Sequence, residues 1–83
     1  MKEITKKVKR AVAVRAIIKE LEAQKGELEK ILNEENEAYG NLSEGKRSSG
    51  NGVAMKESIS SLEGVVYDLE DLITDLKEVS WII

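Results

Sequence analysis

The sequence predicts an all-α fold: an antiparallel two-helix hairpin, coiled-coil-like in its spacing, that assembles with its own copies into a four-helix bundle or larger homo-oligomer. Three observations predict it. Apolar residues recur at heptad spacing in both halves of the chain, no proline interrupts either half, and a stretch rich in glycine and serine separates them. The pattern places a first helix at about residues 2–39, a loop at 40–52 and a second helix at about 53–79, in a single domain spanning 1–83.

In the first helix, with Ile4 as heptad position a, the a series runs Ile4, Ala11, Ile18, Lys25, Leu32, Tyr39. The d series runs Lys7, Val14, Leu21, Leu28, Glu35, Leu42, and Val8, Ile17 and Ile31 widen the stripe. Lys25 and Glu35 interrupt this seam. We expect the helix to curve away from its partner there, a register-fixing polar pair being the alternative. Gly26 in this helix and Gly64 in the next each cost about 1 kcal/mol relative to Ala. They are read as tolerated weak points, with close backbone approach as the sharper alternative.

The second helix is more regular. Met55, Leu62, Leu69, Leu76 and Ile83 form its a series, Ser58, Val65, Leu72 and Val79 its d series, and Ile59, Val66 and Ile73 fill the e positions. Three apolar residues per heptad exceed what one neighbouring helix covers. An 83-residue chain without cysteine or histidine also has no disulfide or zinc site to staple it. Self-association follows, with the interface expected at Ile59, Leu62, Val66, Leu69, Ile73 and Leu76. Trp81 is expected to pack against an N-terminal helix segment, its own or a neighbour's.

The connection, Gly40 to Gly52, holds four of the six glycines. Gly40 is a candidate stop signal and Asn51 or Gly52 a candidate N-cap. Gly40, Gly45 and Lys46 have the spacing of a phosphate-binding P-loop, but Arg47 stands where Ser or Thr holds magnesium, and a helix rather than a strand precedes it. Ser43 and Lys46 share the Ser-x-x-Lys spacing of some acyl-enzymes without any companion motif. What remains is a candidate anion site at Lys46, Arg47, Ser48, Ser49, Asn51 and Gly52, weighed against a solvated basic loop.

Charge is unevenly spread. Residues 1–15 carry a net +5, residues 16–45 a net −5 and residues 46–83 a net −3. The basic residues Lys2, Lys6, Lys7, Lys9 and Arg10 offer a route to nucleic acid, although no aromatic lies among them to stack on bases. The acidic residues lie largely off the apolar stripe and form a soluble exterior, or imitate a phosphate backbone. No enzyme chemistry, metal or cofactor is expected. Ala11-Val12-Ala13-Val14 is cut short by Arg15, so neither a secretory leader nor a membrane span is expected, and the chain is placed in the cytoplasm.

One resemblance adds to this reading. Glu35, Tyr39, Asn41, Leu42, Glu44, Arg47, Ser48, Ala54, Met55, Glu57, Ile59, Leu62, Glu63, Leu69, Glu70 and Leu72 match a pattern shared by small helical-hairpin proteins of bacteriophages and prophages. That pattern joins a Tyr-x-Asn-x-Pro-Glu turn to a second helix repeating Leu-Glu, and it covers somewhat over half the chain. Ser43 stands where those sequences carry Pro, which implies a looser turn. The resemblance implies a non-enzymatic phage accessory protein that inhibits host defence in the host cytoplasm. It would either sequester a nucleotide signal through the loop from Lys46 to Gly52 or block a defence protein such as a CRISPR effector. A structural coiled-coil assembly module is the alternative.

Overall fold

With no proline and a composition rich in Leu, Glu, Lys and Ala, nothing in either half opposes a continuous helix, and two long ones form. In the computed structural model, which describes residues 2–82 and side chains from Thr5 onward, α1 spans Lys2–Gly40 and α3 spans Gly50–Ile82. A single helical turn, α2 (Glu44–Arg47), lies between them. α1 and α3 pack against each other as an elongated hairpin with principal extents of 68 × 15 × 13 Å, so the molecule is one helix thick.

The connection is shorter than the glycines imply. α3 begins three residues earlier than the periodicity predicts, at Gly50, and it ends three residues later, at Ile82. Ser49, rather than Asn51 or Gly52, acts as the cap: its hydroxyl accepts from the Gly52 N–H at 3.4 Å while donating to the Lys46 carbonyl at 2.5 Å. Gly52 is buried, and a Cβ built there would overlap the backbone carbonyls of Lys46 and Arg47. This glycine is a close-packing residue rather than a breaker. Gly26 and Gly64 have nothing within 4 Å of a built Cβ, which rules out close approach at both.

The less exposed residues of α1 are Ala11, Val14, Ile18, Leu21, Lys25, Leu28, Leu32, Glu35 and Tyr39, alternating steps of three and four. That is the predicted a/d seam. α3 answers with Met55, Ile59, Leu62, Val66, Leu69, Ile73 and Leu76, its a and e positions. The d residues Val65, Leu72 and Val79 remain 40–48% exposed. On the helical wheel a lies between d and e, so α3 must choose which flank to bury. It buries the β-branched e row and leaves out the d row, which begins with Ser58. Ile59, Leu62, Val66, Leu69, Ile73 and Leu76, the expected contacts between copies, are therefore already turned toward α1 of the same chain. The apolar excess of α3 lies instead at Val65, Leu72 and Val79.

α1 does not leave its partner at Lys25. The Lys25 ammonium lies 3.4 Å from Glu29 and 3.9 Å from Glu70 across the seam, and Lys77 lies 3.2 Å from Glu22. Half-exposed pairs of this kind contribute at most about 1 kcal/mol each. Their effect is to set register: both pairs fall on one side of the hairpin, which turns the d row of α3 to the other.

Because their built Cβ atoms meet only open space, Gly26→Ala and Gly64→Ala should each stabilise the fold by about 0.5–1 kcal/mol. Gly52→Ala should destabilise it by about 2 kcal/mol or more, because the clash is with backbone. Urea unfolding of the three variants checks both signs.

Candidate functional site

Helical geometry brings Ile17 and Ile31 of α1 and Val65, Leu72 and Val79 of α3 onto one surface, whereas Val8, Val12 and Val53 are exposed elsewhere. At about 100° per residue, Ile17 and Ile31 of α1 lie on the side of the seam opposite Glu22 and Glu29. On α3, Val65, Leu72 and Val79 lie on the side opposite Glu70 and Lys77. Because the helices are antiparallel, these two flanks fall on the same broad face of the hairpin. Ile17 is 49% exposed and Ile31 45%, beside Val65 at 47% and Leu72 at 48%. Half-buried Leu21, Leu28, Leu62, Leu69 and Leu76 continue the surface down into the seam. The opposite face is polar, a groove lined by Glu22, Lys25, Gly26, Glu29, Glu70, Thr74 and Lys77 and crossed by the ion pairs.

The connection is built differently from an anion cradle. Arg47 turns inward: its guanidinium donates to the Gly40 carbonyl at 2.6 Å and lies 5.7 Å from the centre of the Tyr39 ring. Its Nε is buried with no hydrogen-bond partner. Ser48 donates to the Glu44 carbonyl at 3.1 Å, so both serines of the candidate site satisfy local backbone, and Gly52 is packed away. Lys46, Ser48, Ser49 and Asn51 are exposed, but only Lys46 and Asn51 have side chains not already bonded to local backbone or packed in the bend. Ser43 caps α2 by accepting from the Lys46 N–H at 3.4 Å, which gives the Ser-x-x-Lys spacing a structural role. Its φ of −66° is one that proline also adopts. No strand precedes Lys46 among the described residues, and the P-loop geometry does not form.

At the other end, Lys6, Lys7, Lys9 and Arg10 are exposed, and Arg10 donates to the Lys6 carbonyl at 3.3 Å. The side chains of Lys2 and Ile4, and Ile83 as a whole, lie outside the described residues. Trp81 is 89% exposed and Ile82 82%, so the indole does not pack on its own chain's N-terminal segment. Tyr39 lies on the seam and Tyr67 is 67% exposed, as their heptad positions predict. Among the described residues, no group of three or more acidic side chains is placed to hold a metal ion, and no helix is long and apolar enough to cross a membrane.

Ile59, Leu62, Val66, Leu69, Ile73 and Leu76, expected between copies, line the seam within one chain, and an exposed apolar row lies beside them. Its signal was present, since Ile17 and Ile31 flank the seam and Val65, Leu72 and Val79 form an apolar d series. No family model, curated protein or solved structure matches this chain.

Arg47 and Lys46 should separate cleanly. Arg47→Ala removes a charge-assisted hydrogen bond and the contact with Tyr39 and should cost about 1–2 kcal/mol in urea unfolding. Lys46→Ala, on an exposed side chain, should stay within about 0.5 kcal/mol of the parent protein.

Proposed function

We propose that this chain is a non-catalytic association module whose working surface is the apolar face of the hairpin, and whose first partner is a second copy of itself. The observation that supports this most directly is an area. The chain exposes 6553 Å², whereas a compact monomer of its mass, 9.2 kDa, exposes about 4,900 Å². The excess, roughly 1,600 Å² per chain, is ample for a stable protein–protein interface, which takes about 800 Å² from each partner. The apolar row of Ile17, Ile31, Val65, Leu72 and Val79 on one face, with ion pairs on the other, gives part of that excess a direction.

The inhibitory role implied by the phage resemblance is the wider form of the same proposal. An assembled bundle with an acidic exterior would act by covering a surface of another protein. A nucleotide-sequestering role finds less support, because Arg47 is committed to Gly40 and Tyr39.

Light scattering on a sizing column at about 10 μM tests the proposal. The parent chain should elute at twice the monomer mass or more. Val65→Glu with Leu72→Glu should shift it to the monomer, because each carboxylate would have to be desolvated in the contact. Tyr67→Glu, off that face, should leave the mass unchanged. A parent chain that is monomeric at this concentration contradicts the proposal.

A further inference from the structure

The apolar face has an internal symmetry. Along α1, Ile17 and Ile31 lie seven residues on either side of Gln24; along α3, Val65 and Val79 lie seven residues on either side of Leu72. The Lys25–Glu70 and Lys77–Glu22 pairs set a register that brings Gln24 level with Leu72, Ile17 with Val79 and Ile31 with Val65. An isologous two-fold contact needs a self-complementary surface, and one that reads the same from its centre in both directions meets that condition.

Two ways of stacking two such faces use this symmetry. With the two-fold axis lengthwise, along the helices, each Gln24 would be pressed onto Leu72 of the second copy, and both basic ends would sit together. With the axis crosswise, at the level of Gln24 and Leu72, each helix lies antiparallel on its own counterpart. Gln24 then meets Gln24 and Leu72 meets Leu72, with Ile17 against Ile31 and Val65 against Val79.

Resting on the self-association proposed above, we infer that the second copy docks crosswise, as an antiparallel four-helix bundle centred on a Gln24 pair. Two independent observations favour it over the lengthwise arrangement. A carboxamide carries both donor and acceptor, so two Gln24 side chains satisfy each other, whereas Gln24 on Leu72 leaves its amide unpaired in a closing interface. Charge points the same way. Arg10 stands seven residues before Ile17 in the same row, and crosswise docking brings it level with Ala38 of the second copy, within a turn of that copy's half-buried Glu35. Lengthwise docking instead sets Lys6, Lys7, Lys9 and Arg10 of one chain beside the same residues of the other. The polar pair also fixes alignment, since sliding by one heptad would pair each Gln24 with an isoleucine.

The chain has no cysteine, so single-cysteine variants report contacts without background. Gln24→Cys and Leu72→Cys, each with parent-like helix content by circular dichroism, are oxidised by glutathione disulfide alone and as a mixture. Crosswise docking predicts covalent dimers of each variant alone, at least tenfold faster than for Thr74→Cys on the opposite face. It also predicts few mixed dimers. A second mixture, Arg10→Cys with Ala38→Cys, should cross-link between the two variants. Predominant Gln24–Leu72 mixed dimers from a chain that scatters light as a dimer would overturn the crosswise arrangement and leave self-association standing. Equal, slow cross-linking at all positions together with a monomer mass would overturn both.

Discussion

Two helices touch along a line, and a line hides only one row of side chains on each. This limit governs the whole molecule. Among the described residues only Ala11, Ile18, Gly52, Ile59 and Ile73 are buried, and no large side chain is fully enclosed. At 15 × 13 Å in cross-section there is no second layer to cover anything else. Every apolar residue beyond the seam must therefore face solvent or another molecule.

Consequences run from this limit to the proposed function. The ion pairs of Lys25, Glu22, Glu70 and Lys77 add little energy, but they occupy one flank of the seam and so turn Val65, Leu72 and Val79 to the other. The connection contributes by holding the helices at a fixed approach. Arg47 bonded to Gly40 and stacked on Tyr39, with Gly52 pressed against the turn of α2, ties the end of α1 to the start of α3. Arg47, Ser48, Ser49 and Gly52, which look like ligand chemistry in the sequence, thus help to shape the bend.

Both helices were legible in the sequence because an apolar period is a local property that survives any choice of partner. The seam of α1 was legible from Ala11 to Tyr39 in its a and d positions, although Lys7, also a d position, is exposed and Lys25 and Glu35 stay on the seam. The facing of α3 was not. Its a row is flanked by apolar residues on both sides, and the choice between Val65, Leu72, Val79 and Ile59, Val66, Ile73 depends on charges carried by the other helix. The connection was misread for a related reason. Glycine lowers helix propensity by about 1 kcal/mol, which a serine cap and tight packing readily outweigh. Gly50 and Gly52 therefore belong to α3 despite their composition. Arg47 looked like an anion ligand because its carbonyl acceptor, Gly40, lies seven residues back and is reached only once the chain has turned.

The central claim is that one hairpin is incomplete and gains stability from a second. Thermal unfolding followed by circular dichroism, over protein concentrations from about 1 to 100 μM, tests it most directly. If the folded state is a dimer, the midpoint should climb by about 5–10 °C across that range, because mass action favours the associated form. An identical midpoint at every concentration would mean that each chain folds and melts alone, and that its apolar face needs no second copy.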